Sequence, residues 1–178
     1  MFKKLLIASA ILAATSTVAL ADGAPYLGAS LGVVDNTSSA GSFRGMPLTI
    51  NAGYGAKVNQ TVYLGGEVFG VLGTSTLDSN PNPGMRSIKS TYGFGASFIP
   101  GVMISDTTMA FVRLGAVKTR FANFGKTVTG GQAGLGIQTS LTQNLDLRGE
   151  YDYTKYNKFQ GISVRSDAFN IGLVYKFA

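Results

Sequence analysis

Cysteine, histidine and tryptophan are absent from this sequence, and charged residues make up only 13% of it. Without cysteine there is no disulfide framework and no thiol nucleophile, and without histidine there is neither a histidine-dependent triad nor a Cys/His zinc site. The charged fraction is about half the roughly 25% typical of a soluble globular domain. An ordinary soluble enzyme is therefore disfavoured, and any catalysis would rest on carboxylate, lysine, serine or tyrosine side chains.

Glycine and apolar residues are plentiful instead. The 178 residues include 24 glycines, are 45% hydrophobic and 11% aromatic, and carry a formal net charge of +6. This glycine content is near twice the usual ~7%. The apolar content argues against disorder, and the length suits one domain. The fold must therefore accommodate much apolar surface with few charges.

Residues 1–21 have the features of a secretory signal peptide. Two lysines near the start are followed by an apolar stretch over residues 5–14, and small residues end the segment at Ala21. This apolar stretch is too short to span ~30 Å of hydrocarbon. We expect cleavage after Ala21, which removes two of the 15 basic residues and none of the nine acidic ones, so that residues 22–178 carry +4.

The rest of the chain repeats one pattern, in which large apolar side chains alternate with small or polar ones over segments of about ten residues. In the first segment, about Pro25 to Val34, Leu27 and Leu31 share one face, whereas Gly28 and Ser30 share the other. Alternation with a period of two is typical of a β-strand. Eight such segments predict eight strands, and no run of apolar residues is long enough for a transmembrane helix.

The small and polar face indicates which side of each strand meets solvent. In a soluble barrel the apolar face would point inward, leaving mostly glycine, serine and alanine outside. The opposite arrangement fits better, with apolar side chains facing lipid and polar ones facing a narrow lumen. Polar backbone groups in lipid then require a closed barrel. A soluble periplasmic ligand-binding barrel is the alternative fold.

Connector lengths favour the membrane arrangement, because they alternate between long and short. Residues 35–47, 72–87 and 155–166 form long connectors, and residues 56–60, 105–107 and 141–144 form short ones. In bacterial barrels the long loops face outward and the short turns face the periplasm. The sequence thus predicts, over residues 22–178, an all-β, eight-stranded antiparallel up-and-down transmembrane β-barrel, a meander with long outer loops and short periplasmic turns.

Two finer expectations concern aromatic residues and proline. Pro100-Gly101 is expected to end or kink the fourth strand. Aromatic side chains are expected to form interfacial girdles. The periplasmic girdle would hold Tyr54, Phe98, Tyr175 and Phe177, and the outer girdle Phe121, Phe124, Tyr151, Tyr153, Tyr156 and Phe159.

The eight alternating segments, the glycine-rich inward face, the charged seventh segment and the closing alternation from Phe169 to Phe177 together resemble the OmpA-like, opacity-type family of small outer-membrane β-barrels. This resemblance covers essentially the whole chain after residue 21. It implies residence in the cell outer membrane, and a last strand that is read by the barrel assembly machinery. Catalytic barrels of this architecture use a histidine, which this sequence lacks, so we expect no enzymatic activity.

Charged residues on the polar face of three segments are expected to meet in the lumen. This lumen network would consist of Glu67, Arg113, Arg148, Glu150 and Asp152. Unpaired charges in a narrow barrel would be costly. A gate or a proton or ion path is one interpretation. A structural polar core is favoured, because an eight-stranded interior is only wide enough to be filled by its own side chains.

Basic residues concentrate in the outer loops and strand ends. Nine basic residues lie there, against only three acidic ones, Asp35, Asp78 and Asp167. The predicted basic outer rim consists of Arg44, Arg86, Lys89, Lys118, Arg120, Lys126, Lys155, Lys158 and Arg165. Such side chains pair with lipopolysaccharide phosphates or with anionic polysaccharide on a host surface. Lipopolysaccharide contact is the favoured interpretation, and adhesion is the second.

The sequence therefore predicts a non-enzymatic, monomeric integral outer-membrane barrel with a structural and surface-interaction role. Its expected partners are outer-membrane lipid, lipopolysaccharide, the barrel assembly machinery and a host-surface ligand. We expect no cofactor, no metal and no nucleic acid. A small-solute or ion channel is the alternative function, because inward glycines leave space for small water-filled cavities.

Overall fold

The computed structural model describes residues 23–39, 41–81, 83, 88–122, 125–158, 161 and 163–177. The predicted signal peptide, residues 1–21, lies outside these ranges. The described residues form eight β-strands: β1 (Gly23–Ser38), β2 (Gly41–Lys57), β3 (Val62–Pro81), β4 (Ser90–Met103), β5 (Thr108–Phe121), β6 (Lys126–Ser140), β7 (Leu145–Tyr156) and β8 (Val164–Lys176).

Each strand pairs antiparallel with the next along the chain, and β1 also pairs with β8, which closes the sheet into a barrel. The closing register runs from Tyr26 opposite Lys176 to Ser38 opposite Val164. Closure gives the strand backbones hydrogen-bonding partners on both sides, as a bilayer interior requires. The predicted eight-stranded antiparallel meander is confirmed. In the described ranges, no helix is long and apolar enough to cross a membrane.

The two faces of the strands carry different side chains, as the alternation predicts. Outward positions expose large apolar groups: Leu31 is 56% exposed, Leu135 64% and Phe169 54%. Inward positions bury polar and charged groups such as Glu67 and Arg113, each 4% exposed. Apolar surface on this scale at the outside of a barrel matches the lipid-facing band of outer-membrane barrels. The interior is the polar side.

Much of the sequence expected to form long outer loops belongs to strands. β1 and β2 remain paired as far as Ser38 opposite Gly41, and β2 pairs with β3 as far as Pro81. These strands of 16 to 20 residues exceed the ~9–11 residues that a membrane-spanning strand needs. Continued pairing satisfies backbone groups that a loop would leave to water, so the wall formed by β1, β2 and β3 projects beyond the lipid-facing band.

β4 continues through Pro100 to Met103, so the expectation that this proline ends the strand is wrong. Its edge toward β3 stays in register through Leu64 opposite Pro100 and Val62 opposite Val102. Pairing with β5 stops after Phe98 and resumes at Gly101 in the same register. A proline removes only one ladder donor, and two flanking strands hold the rest of β4 in place.

The three periplasmic turns are short and are closed by side-chain oxygens. In the β2–β3 turn, Asn59 Oδ1 accepts from the amide of Val62 at 2.7 Å. In the β4–β5 turn, Ser105 Oγ accepts from the amide of Thr108, and in the β6–β7 turn Thr142 Oγ1 accepts from Leu145, each at 3.1 Å. Such local bonds are the reason that Asn, Ser and Thr favour turns.

Inward glycines make room for rings on neighbouring strands. Tyr26 lies opposite Gly53 and Phe111 opposite Gly136 in the strand register, and each ring occupies the space that a side chain on its glycine would need. A Cβ on Gly136 would come within 2.7 Å of Phe111 Cε1. Part of the glycine excess is therefore required by close packing across the lumen wall.

Replacing Gly136 by alanine is expected to destabilise the barrel by about 1–3 kcal/mol, because Phe111 must move from its packed position. Gly149→Ala is the matched control, since a Cβ there meets no atom within 4 Å, and we expect a change within about 0.5 kcal/mol. Urea unfolding of lipid-reconstituted protein, followed by circular dichroism, measures both. Equal losses for the two variants would contradict this packing role.

Candidate functional site: the lumen and the outer rim

The five charged residues expected to meet in the lumen do lie together, on three strands that face one another across the barrel. Arg113 Nη1 on β5 lies 2.7 Å from Glu67 Oε1 on β3, and its Nη2 lies 2.9 Å from Glu150 Oε2 on β7. Arg148 Nη1 lies 2.6 Å from Glu67 Oε2. Asp152 Oδ1 lies 3.5 Å from Arg113 Nε. One charged layer therefore crosses the lumen.

Glu67 is the centre of this layer. Its side chain is fully buried, and its Oε2 accepts from Tyr26 Oη at 3.1 Å, Asn51 Nδ2 at 2.8 Å and Arg148 Nη1 at 2.6 Å, while its Oε1 forms the ion pair with Arg113. A buried carboxylate is stable only when its lone pairs are satisfied and its charge is balanced. Tyr26, Asn51 and the two arginines supply both conditions.

The two arginines are also held by aromatic rings. The guanidinium of Arg148 lies 5.4 Å from the ring centre of Tyr26 and 5.2 Å from that of Phe111. Arg113 lies 5.5 Å from the ring centre of Phe69. Arginine stacks on aromatic faces while its edge donates hydrogen bonds. Each cation therefore has favourable contacts in directions where no carboxylate is present.

Sequence analysis missed the extension of this network toward the periplasm. Arg148 Nε donates to Gln138 Oε1 at 2.8 Å, and Gln138 Nε2 donates to Asp146 Oδ2 at 2.6 Å. Asp146 also pairs with Lys176 at 2.9 Å. Asp146 lies two residues from Arg148 on the same face of β7, and this spacing is the signal in the sequence that places it in the lumen.

The outer end of the lumen is filled by an apolar cluster. Phe43, Ile88, Phe121 and Val164 are each at most 1% exposed. The side chain of Asn36 donates to the Ile88 carbonyl at 3.2 Å and so anchors the segment that precedes β4. This outer plug, completed by Phe69, Val117, Val128 and Tyr156, lies between the charged layer and the outer end.

Phe121 and Tyr156 were expected in the outer aromatic girdle, and this is wrong. Their rings meet edge-to-face inside the plug with centroids 5.2 Å apart, and Tyr156 Oη lies 3.0 Å from Thr119 Oγ1. Both face the lumen because of the alternation along their strands. Phe121 lies an even number of residues after Arg113, and Tyr156 lies an even number after Asp152. The remaining girdle residues in the described ranges keep outward exposure or half-burial: Tyr54, Phe98, Tyr151, Tyr153, Tyr175 and Phe177. Phe124 and Phe159 lie outside those ranges.

At least two cavities lie in the lumen between described residues. One of about 90 Å³ lies between the plug and the charged layer, with Ser30, Gln132 and Asn170 among its lining residues. The other, of about 320 Å³, lies at the periplasmic end beside Tyr63 and Lys57. The first has room for a few waters. In the described part of the chain, no three metal-ligating side chains are placed to hold a metal ion.

The predicted basic outer rim is partly exposed and partly engaged. Arg44 pairs with Asp35 at 2.9 Å, with 58% of its side chain exposed, and Arg120 lies 5.9 Å from the ring centre of Tyr92. Lys89 and Arg120 are half-buried. Exposed basic side chains are Arg44, Lys118, Lys155, Lys158 and Arg165. Arg86 lies outside the described residues, and for Lys126 only the backbone, at the start of β6, is described.

The family model for the outer membrane protein beta-barrel domain matches residues 5–177. The chain belongs to this family. The expected resemblance to small outer-membrane barrels is thereby confirmed, and the protein is an outer-membrane β-barrel. No curated protein matches the chain by sequence.

Solved structures of outer-membrane barrels share the fold. Neisserial surface protein A is 22% identical with a TM-score of 0.63, over 86% of this chain and 97% of that one. Ail of Yersinia pestis, solved with the heparin analogue sucrose octasulfate, is 17% identical with a TM-score of 0.56, over 88% and 99%. OprG of Pseudomonas aeruginosa is 9% identical with a TM-score of 0.52, over 88% and 97%. At these identities the likeness shows the fold alone.

Replacing Arg113 by methionine is expected to destabilise the barrel by roughly 3–5 kcal/mol, because buried carboxylates lose their counter-charge. Arg44→Met removes an exposed ion pair instead, and we expect about 1 kcal/mol or less. The shift in urea midpoint of lipid-reconstituted protein, followed by circular dichroism because the chain lacks tryptophan, measures both. An unchanged midpoint for Arg113→Met would show that the charged layer does not stabilise the fold.

Proposed function

We propose that this protein is a non-enzymatic surface barrel whose lumen is a structural core and whose basic outer rim binds anionic groups, lipopolysaccharide phosphates first. One observation carries the proposal. The cations of the lumen are paired with carboxylates, whereas several exposed cations of the outer end form no ion pair among the described residues. The buried cations are thus neutralised by the protein, and the outer surface retains cations that can bind an anion.

The closed lumen supports a structural role for the interior. The outer plug and the charged layer both cross it, so a solute would have to displace buried rings and break ion pairs such as Arg113–Glu67. An eight-stranded interior is just wide enough to be filled by side chains or to hold one small ligand. These features favour a structural core over the small-solute or ion channel that the inward glycines also suggested.

The exposed cations support the surface role. Lys and Arg form charge-assisted hydrogen bonds with phosphate and sulfate oxygens. Lipopolysaccharide surrounds the outer rim of any barrel in this membrane, so it is the first anion that these side chains meet. Ail, which shares the fold, was solved with a heparin analogue, and this supports anionic polysaccharide at a host surface as a second ligand.

Planar-bilayer recording tests the lumen. We expect no discrete conductance steps from purified protein, because the plug blocks the outer end and the ion pairs block the middle. A porin added to the same bilayer serves as positive control. Reproducible steps that vanish when the protein is left out would instead support the channel.

Binding to lipid vesicles tests the rim. We expect the protein to retain lipopolysaccharide more strongly than a neutral phospholipid, and this preference to fall as ionic strength rises, since exposed charges are screened beyond ~10 Å at 0.1 M salt. Heparin competition separates the polysaccharide ligand from the lipid. Recovered radiolabelled lipid A should be chemically unchanged. A preference that ignores salt would contradict the electrostatic origin, and a new lipid product would contradict the non-enzymatic role.

A further inference from the structure

We propose that Lys155 on β7 and Arg165 on β8 form one site for a lipid-anchored phosphate, the phosphorylated headgroup of lipid A in the outer leaflet. This inference rests on the proposed function and narrows it to one pair of residues. It assigns the anion, its position relative to the membrane and the two side chains that hold it.

The strand register places the two cations side by side. Lys155 and Arg165 are directly opposite in the β7–β8 ladder. Both have outward parity and both are exposed, as are Tyr153 and Phe169 on the same faces. Side chains directly opposite on one face have Cβ atoms about 4.5–5.5 Å apart, and like charges in that position destabilise the sheet unless a counter-ion is present. The geometry therefore favours an anion between them.

Within the described residues, no carboxylate lies at ion-pair distance from either cation. Among the ion pairs formed by described residues, none involves Lys155 or Arg165. The nearest carboxylate along β8, Asp167, accepts from Tyr151 Oη at 2.5 Å. Asp35, opposite Asp167 on β1, pairs with Arg44 instead. Asp35 is thus neutralised by Arg44, whereas the Asp167 carboxylate accepts from a neutral hydroxyl and keeps its charge, two residues from Arg165 but without forming an ion pair with it.

The pair also differs from the other basic residues of the rim. Arg44 has its carboxylate partner Asp35, and Arg120 stacks on Tyr92. Lys118 is exposed, but its register partner on β6 is Thr129. Lys155 and Arg165 are opposed by one another, so each raises the affinity of the other for a shared phosphate. A phosphate with several oxygens suits the fork of arginine and the point charge of lysine together.

Their height on the barrel identifies the source of the phosphate. Outward aromatic side chains lie immediately below the pair on the same strands, with Tyr151 46% exposed, Tyr153 40% and Phe169 54%. Outward aromatic rings mark the membrane interface. Long basic side chains just beyond that belt lie at headgroup level, where they extend along apolar surface toward phosphates. A lipid phosphate is presented there, whereas a soluble anion would meet the loops further out.

The neighbouring strand leaves room for the rest of the lipid. Gly131 on β6 lies directly opposite Lys155 and, on its other side, Ala116 of β5. A Cβ added to Gly131 would meet no atom within 4 Å. The wall beside Lys155 therefore carries only small residues at Gly131 and Ala116 and leaves space for a headgroup bound by the pair.

The test compares a double variant with a control of equal charge. K155Q/R165Q removes the opposed pair, and R44Q/K158Q removes two other exposed cations of the rim. The full barrel in detergent is titrated with phosphorylated lipid A and with dephosphorylated lipid A, and native mass spectrometry measures binding. We expect K155Q/R165Q to bind the phosphorylated lipid at least about tenfold more weakly than the control, as two charge-assisted contacts are lost, and the dephosphorylated lipid equally.

Each outcome separates the pair from the broader proposal. If the wild type does not bind phosphorylated lipid A more tightly than dephosphorylated lipid A, both the Lys155–Arg165 site and the proposed binding of lipopolysaccharide are wrong. If K155Q/R165Q binds phosphorylated lipid A as tightly as R44Q/K158Q does, the pair is not the binding site, but the proposed role of the basic outer rim is unaffected. Displacement of the lipid by inorganic phosphate or heparin beyond that caused by sodium chloride of equal ionic strength would overturn the lipid-anchored assignment.

Folding is checked by heat-modifiable gel mobility. The exchange variant K155R/R165K keeps both charges and should retain binding, and loss of binding in that folded variant would contradict a site defined by two opposed cations. The single variants K155Q and R165Q provide the same comparison if the double variant does not fold. Each should lose part of the affinity, and full retention in both would overturn the assignment.

Discussion

The backbone pairing between β1 and β8 is the constraint on which the rest of this structure depends. Without it, two strand edges would leave their amides and carbonyls in hydrocarbon, where each unsatisfied group costs several kcal/mol. Thirteen residue pairs, from Tyr26–Lys176 to Ser38–Val164, close the sheet into a barrel. Closure with eight strands also sets the width of the interior, and that width decides which side chains the lumen accepts.

In a narrow lumen, polar and charged side chains must find their partners within a limited space. Inward charges are surrounded by protein instead of bulk water, so each one must be balanced within the space available. The layer solves this by placing Glu67 between Arg113 and Arg148 and by stacking both arginines on rings. Rings of that size fit because glycines such as Gly53 and Gly136 leave space on the strand across from them. Charge, aromatic content and glycine excess are therefore parts of one arrangement.

Strand parity in the sequence predicted most of this arrangement. It placed the five charged residues on the inward face, and closure then brought them together across β3, β5 and β7. Parity would also have placed Phe121 and Tyr156 inside, but their position at segment ends suggested a girdle. The position of an aromatic residue near a segment end indicates its height along the barrel. Only its place in the alternation indicates whether its side chain faces the lumen or the lipid.

Other features were beyond the reach of a single sequence. Gly, Ser and Asn residues after Val34 have a loop-like composition, yet β1, β2 and β3 continue through such residues because each has a paired neighbour. Pro100 is similar, since its flanking strands decide whether the missing donor matters. Pairing between distant segments, which local composition does not contain, decides the outcome in both cases.

The difference between the inner and outer cations is finally one of available partners. Arg113 and Arg148 lie where only protein is present, so folding itself must provide their carboxylates. Lys155 and Arg165 lie on the outer wall, where, in the site we propose, lipid headgroups provide the anions and the sequence need not encode them. In an isolated protein, two like charges directly opposite one another in a strand pair are destabilising. In a membrane rich in phosphate, the same two charges are complementary to the headgroups. The membrane is therefore the natural reference state for judging whether the outer wall is electrostatically satisfied.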